Sequence, residues 1–361
     1  MNFSCNDRIS NNQLRAILVA GLLGNLAVSA PLGVIEKSGS AAYISIAIGG
    51  LAAAVLFYIL IKLTSAGFVK SYEDMSTESL GRGISFVLFA VVLIHIVLYG
   101  GFQLSISARM VQETMEKGVG KNFASLIIVL VSAYMAQRGS ECIGRIAEIA
   151  AVLMLIFIAF IFIVSAPSMD LTVLRTTPAE SRGILKGAFD AFCSMSAAGF
   201  VFMLSPKTNN TKKSAMSVFS AIIIVTAVLS FGTALSVSCF GLKEAERKLW
   251  PVIQMMNYTE FPGSLVERQE VLMSGFYVFS SFILTGISVY LSSSLLGHMF
   301  KSVKKKWPFL LASCLAVYAL QYCGKDAYGD FNLIYWLYRF NPVMYIIMII
   351  SPVAAIVRRK K

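Results

Sequence analysis

Ala20-Gly-Leu-Leu-Gly-Asn-Leu-Ala-Val-Ser-Ala-Pro-Leu-Gly33 is apolar enough to enter a bilayer, yet poorly suited to one continuous helix. Gly21, Gly24 and Gly33 lower helix propensity, and Pro31 removes a backbone donor. The residues leave two readings open. Small side chains let helices pack closely in a membrane, or the helix is interrupted at mid-depth. Ser10-Asn-Asn-Gln13, just upstream, has the Ser-x-x-Gln spacing of a capping box and fixes where this helix starts. A second small and polar interruption, Asp190-Ala-Phe-Cys-Ser-Met-Ser-Ala-Ala-Gly199, lies in the middle of a later apolar run. Two interrupted spans five apart are the sequence pattern of an inverted five-plus-five repeat, with a binding site between half-helix ends. A half-helix N-terminus offers free N–H groups to an anion such as a carboxylate. Glycine there lets a ligand approach the backbone.

The rest of the chain agrees with a membrane setting. It is 57% hydrophobic and 14% charged, with mean hydropathy +0.73, whereas soluble domains carry roughly 25% charged residues. The net charge of +12 points to topology and anionic lipid, and no basic face with interleaved aromatics suggests nucleic acid. The polar start, Met1 to Ser10, lacks the charged-then-apolar order of a cleaved signal, so the first apolar run is expected to remain in the product. Six cysteines are scattered without a Cys-x-x-Cys pair and read as small hydrophobes.

Apolar windows give about ten transmembrane helices, near 12–36, 41–63, 83–112, 122–137, 142–166, 184–205, 214–240, 264–297, 307–323 and 331–357. Lys207, Lys212, Lys213, Lys301, Lys304 to Lys306 and the tail Arg358 to Lys361 favour both termini in the cytoplasm, while Lys243, Arg247 and Lys248 dissent. The expected fold is an all-α polytopic membrane protein forming one domain over residues 1–361. Its repeats run from about 10 to 166 and from about 183 to 357. The longer polar connections have room for short interfacial helices.

Enzyme motifs are absent: there are two histidines, and no HExxH, P-loop or Gly-x-Ser-x-Gly arrangement. Neither a cofactor nor a metal is expected. His95 shares a face with Tyr99 and is read chiefly as an interhelical hydrogen-bonding group, while Tyr99 suits pocket lining or packing. Asp190 either neutralises a ligand amine or pairs near the outer interface, for instance with Lys186. Arg109 and Glu113 are spaced for a local ion pair. Thr285, Ser292 and Ser293 sit on span eight, where hydroxyls either glue helices together or help to hold an ion.

Trp250 to Glu270 carries Glu267, Arg268 and Glu270 at the mouth of span eight. The two acids suit the first turns of a helix, and Arg268 suits a contact with a neighbouring loop or subunit.

Several of these segments carry a family likeness. Ile9-Ser-Asn-Asn-Gln-Leu14, Arg138-Gly-Ser-Glu-Cys-Ile-Gly-Arg-Ile-Ala-Glu148, Leu204-Ser-Pro-Lys207 and Trp250-Pro251 with Phe261-Pro-Gly263 and Glu267-Arg268 resemble, in order and spacing, the B subunits of endospore germinant receptors. These belong to the amino acid–polyamine–organocation transporter superfamily, which has a LeuT-like fold with broken helices one and six. The resemblance covers nearly the whole chain. It implies a spore inner-membrane subunit that binds a small germinant, such as an amino acid, and works with an A-type subunit and a C-type lipoprotein. Carried over by position, the pocket involves Gly24, Asn25, Tyr99, Ser194, Ser196, Ala197, Ala198 and a residue near Thr285. Arg145 and Glu148 belong to the polar link before span five. One departure is that Ala198-Gly199-Phe200-Val201 lacks the glutamate that many members carry there. The expected activity is germinant sensing; the alternatives are an amino-acid or cation transporter of the same fold, or an ion- or water-conducting channel component.

Overall fold

Span one begins where the capping box places it. In the computed structural model, Ser10 Oγ accepts from the Gln13 amide at 3.0 Å, and Gln13 Oε1 accepts from the Ser10 amide at 2.9 Å. The structure describes residues 8–65, 71–114, 119–176, 180–255, 269–300 and 307–359, which are almost wholly helical.

Helix α1 (Asn11–Ser29) is followed by α2 (Pro31–Ser38), with Ala30 as the joint. Pro31 opens α2, where its missing N–H costs nothing. The Ala30 amide still reaches Leu26 O at 3.0 Å, so the interruption is a joint and not an unwound gap. Next come α3 (Ala42–Ser65), α4 (Tyr72–Leu80), α5 (Arg82–Thr114), α6 (Lys121–Arg138) and α7 (Ser140–Ser165). Gly139, at φ +92°, makes the one-residue turn between α6 and α7, a conformation that a side chain would oppose. A short α8 (Leu171–Thr176) follows, one of the interfacial pieces that the polar connections allow.

The second half opens with α9 (Ser181–Met195). It tightens to a 3₁₀ helix over Ser196–Phe200, resumes as α10 (Val201–Leu204), and ends in a 3₁₀ turn at Ser205–Lys207. Gly199 explains the tightening: a Cβ there would lie 1.6 Å from the ring of Tyr345. Only a bare backbone lets that ring in. Then follow α11 (Thr211–Phe240), α12 (Leu242–Ala245), α13 (Pro251–Met255), α14 (Gln269–Met299), α15 (Trp307–Leu320) and α16 (Ala327–Arg359).

Each of the ten apolar windows therefore carries helix. Seven described segments are long and apolar enough to cross a membrane: Pro31–Leu63, Arg82–Glu113, Ser140–Ser165, Ser181–Lys207, Thr211–Phe240, Tyr277–Met299 and Ala327–Arg358. Ile48, Leu51, Val55 and Ile59 of α3, and Ile149, Val152, Ile156 and Ile163 of α7, are large and exposed at helical spacing. These stripes suit contact with hydrocarbon, not water. By contrast, α1 is buried on nearly all sides among α7, α11 and α14, as a helix with apolar residues all round should be.

The Ile9 amide donates to Lys207 O at 3.1 Å, and the Asn209 amide donates to Ile9 O at 3.0 Å. The start of span one and the end of span six thus share one face, and the two interrupted helices run in opposite directions between the two faces. On that same face α4 lies across the ends of α14 and α16: Tyr72 donates to Met348 O at 3.1 Å, and Ser294 donates to Glu73 at 2.9 Å.

Candidate functional site

Asn25, in α1 one turn before the joint, is the hub of a buried polar cluster. Its Nδ2 donates to the Tyr99 hydroxyl of α5. Its Oδ1 accepts from the Tyr338 hydroxyl of α16 at 3.2 Å. Ser29 Oγ donates to Asn25 O at 2.8 Å and lies 2.6 Å from the Tyr338 hydroxyl. Asn25, Ser29 and Tyr338 are all 0–1% exposed, so each bond replaces water that cannot reach the group.

Tyr99 also begins a polar file on α5. Gln103, one turn on, donates to the Tyr277 hydroxyl at 3.3 Å, and Ser107 is hydrogen-bonded to Ser281. The i, i+4, i+8 spacing puts Tyr99, Gln103 and Ser107 on one face, against α14. Ser280 of α14 reaches across to Gly21 O at 2.9 Å.

Next to the cluster, towards the face that holds Ile9, is a cavity of about 30 Å³ between α5, the 3₁₀ segment of span six, α14 and α16. Its wall includes His95, Tyr99, Ala197, Gly199, Ser288 and Asn341. Room for a single water needs roughly 10–15 Å³ by this measure, so the cavity has space for about two water-sized groups.

The residues singled out from the sequence fall into distinct surroundings. Asn25 and Tyr99 meet in the cluster, and Ala197 joins Tyr99 on the cavity wall, with Ala198 fully buried behind. Gly24 faces α14, where a Cβ would lie 2.4 Å from Ser280 Cβ; here the small residue serves close packing. Ser194 donates to Asp190 O at 2.9 Å within its own helix. Ser196 is the first residue of the 3₁₀ segment, and its side chain lies outside the described residues. Thr285 is buried, and its hydroxyl has no hydrogen-bond partner among the described residues. Ser292 and Ser293 turn back onto their own helix, at 2.6 Å to Ser288 O and 2.9 Å to Tyr290 O.

Asp190 forms an ion pair with Lys37 at the end of α2, in place of the local pairing with Lys186 that its spacing suggested. It also accepts from Tyr335 at 2.5 Å, and Lys37 donates to the same hydroxyl at 2.8 Å. This trio ties spans one, six and ten together on the side away from Ile9. Arg109 likewise chooses a distant acid: it pairs with Asp330, which Lys121 also reaches at 3.2 Å, joining spans three, four and ten. Arg145 pairs with Glu141 at 2.7 Å, and Glu148 lies half-buried on the same helix. Glu267 and Arg268 lie outside the described residues; Glu270 is in the first turn of α14, its side chain likewise undescribed.

Tyr338, Ser29, Lys37 and Asn341 were not anticipated as members of these groups. Tyr335-Trp-Leu-Tyr338 reads as ordinary aromatic packing, and only its i, i+3 tyrosines hint at a polar face. Among the described residues no group of three or more His, Cys, Asp or Glu could hold a metal.

Two solved transporters share this arrangement. Mhp1, a nucleobase-cation-symport-1 family transporter seen closed with bromovinylhydantoin bound, matches with a TM-score of 0.72 at 14% identity, over 94% of this chain and 75% of that one. A Na⁺-coupled sialic acid symporter in a substrate-bound outward-open state matches with a TM-score of 0.62 at 14% identity, over 95% of this chain and 79% of that one. These likenesses establish the transporter fold. In sequence, the chain is 20% identical to spore germination protein YndE of Bacillus subtilis (strain 168) over 356 residues, 97% of this chain and 98% of that relative. It is 19% identical to spore germination protein B2 of the same organism over 269 residues, 72% of this chain and 71% of that relative. The spore germination protein family matches residues 8–327, nearly the whole chain, and the chain belongs to that family.

Proposed function

We propose that this chain is the membrane-embedded sensing subunit of a germinant receptor. It binds a small germinant, an amino acid in the first instance, beside the interruptions of spans one and six. It then passes the change to an A-type subunit and a C-type lipoprotein. Its place is the spore inner membrane of an endospore-forming bacterium, with both termini in the cytoplasm. The observation that carries the reading is that Tyr99, bonded to Asn25, meets the 3₁₀ segment of span six on the wall of a small cavity, in a chain of the spore germination protein family.

A ligand shifts such a protein only as far as it binds one conformer better than another. In this conformation Asn25, Tyr99 and Tyr338 satisfy one another, and the Lys37–Asp190–Tyr335 trio holds the far side. A germinant that replaces some of these bonds in a more open form would draw the equilibrium towards it. A second reading, an active transporter of the same fold, is favoured by the solved symporters that share the architecture.

The test is germination of spores whose only receptor contains this chain, across single amino acids, together with uptake of the same labelled amino acids into liposomes holding the chain alone. A germination response without concentrative uptake supports the sensor; concentrative uptake overturns it in favour of the transporter.

A further inference from the structure

Helix α16 carries two prolines in its interior, Pro342 and Pro352. A proline withholds the N–H that the carbonyl four residues earlier would accept, and its ring pushes that carbonyl aside, so a helix bends there. The carbonyls concerned are those of Tyr338 and Met348. Met348 O is taken up from outside the helix: the buried hydroxyl of Tyr72 in α4 donates to it at 3.1 Å. Nearly three turns further along, Arg358 donates to Glu78 O of α4 at 3.0 Å. The face of α16 that holds α4 also reaches both interrupted spans. Tyr338, Asn341, Tyr345 and Met348 recur at i, i+3, i+7 and i+10 and so share one side of the helix. Tyr338 bonds to Asn25 and Ser29 of α1, and Asn341 donates to Cys193 O in the last turn of α9 at 3.1 Å. Tyr345 fills the gap at Gly199, where a Cβ would lie 1.6 Å from its ring.

From this we infer that α16 between Pro342 and Pro352 is a lever that couples the geometry of the two interruptions to α4. The 3₁₀ segment of span six cannot shift towards α16 without displacing Tyr345, because Gly199 already meets that ring at its bare backbone. The stretch between the prolines is itself helical, so a push on Tyr345 turns it as one piece and the bending falls at its two ends. Met348 then moves with Tyr345. The Tyr72 hydroxyl either follows or loses its acceptor, and a buried donor left alone is costly. Helix α4 has nine residues, too few to be a stable helix by itself, so its order depends on the bonds that fasten it. Ser294 and Ser85 hold α4 to α14 and α5 as well, which makes the response a loosening and not a release. The coupling belongs to the fold and needs no ligand. Its use as an output on the face that holds Ile9 rests on the sensing reading above.

Amide hydrogen exchange of the full chain in lipid nanodiscs, without ligand, tests the lever. Gly199→Ala drives a Cβ into the Tyr345 ring; Tyr345→Leu empties the same gap and carries the test if the first variant does not fold. Each should speed exchange over residues 72–80 by roughly threefold or more, the size of one lost buried hydrogen bond, while α6 exchanges as in wild type. In chains that also carry Tyr72→Phe, which removes the bond to Met348 O, neither substitution should speed α4 further. Pro352→Ala, which gives Met348 O a donor within its own helix and favours that helix, is a second such background and should act alike. Unchanged exchange of α4 in both variants, while residues 190–207 respond, overturns the lever. So does an α4 response that persists undiminished in both backgrounds. A uniform rise over all helices, α6 included, also overturns it, because that is lost stability alone. In spores whose only receptor contains this chain, Pro352→Ala should shift the germination dose response to higher amino-acid concentration; a wild-type response there overturns the output role and leaves the coupling. Spores of the wild-type chain that answer no amino acid overturn the sensing reading, and the exchange result stands apart from it.

Discussion

At the scale of single residues, Asn25 brings both ends of an amide into the bundle centre, and each end finds a tyrosine. Tyr99→Phe keeps the ring and removes the oxygen that Asn25 Nδ2 donates to. A buried donor left alone costs about 1–3 kcal/mol, so the variant is expected to melt at a lower temperature in detergent; an unchanged transition would show that water or another acceptor replaces Tyr99. Lys37 and Asp190 allow a charge-exchange test. Either Lys37→Asp or Asp190→Lys alone puts like charges together and should destabilise the fold, and the double exchange should restore much of the loss. Thermal melting of the four proteins reads this coupling directly; additive losses would mean that the pair contributes little. Nothing near Asp190 in the chain announces Lys37, which stands 153 residues away. The acid was legible as a buried functional candidate, and its partner was not.

At the scale of elements, small residues decide how closely the interrupted helices approach their neighbours. Gly24 faces Ser280 so tightly that Gly24→Ala must move α1 or α14. We expect Gly24→Ala to lower both stability and the germinant response, with Ser280→Gly in the same chain restoring part of each. A single variant with unchanged dose response and melting would show that the two helices separate freely. The sequence offered close packing and helix interruption as rival accounts of Gly21 to Gly33, and both operate: packing at Gly24, and the joint at Ala30 before Pro31. Helix α4 is fastened by Tyr72, whose hydroxyl burial pushes above the ordinary tyrosine value of 10.0. A raised folded-state value makes its contribution full below pH 10 and lost as pH rises beyond the unfolded value. Wild type should therefore lose stability above about pH 10 more steeply than Tyr72→Phe. Parallel unfolding curves from pH 8 to 11 would discount this fastening.

At the scale of the whole molecule, polar ties on two opposite sides flank the central cavity, and the sensing reading proposed above requires one of them to yield. The Lys37–Asp190–Tyr335 trio secures one side; Tyr72 with Met348 and Ser294 with Glu73 secure the other. A sensor needs only a change of population between such states, whereas a transporter must release each side in turn. Asp190→Asn should therefore raise the reactivity of Cys193 towards a membrane-permeant thiol reagent, because loosening spans one, six and ten exposes a thiol that is now 1% accessible. Equal labelling rates in wild type and variant would show that the trio does not control opening.

What the sequence determined by itself was short-range: the cap at Ser10 and Gln13, the helical windows, and the two stretches ill-suited to a continuous helix, Gly21 to Gly33 and Asp190 to Gly199. Each follows from propensity, hydrophobicity or a missing donor within a few residues of chain. The tertiary structure alone decided who meets whom: Asn25 with Tyr338, Lys37 with Asp190, Arg109 with Asp330, and His95 with Asn341 around one cavity. Those choices depend on the packing of helices far apart in the chain, because a buried polar group takes whichever partner the assembled bundle brings within hydrogen-bond reach.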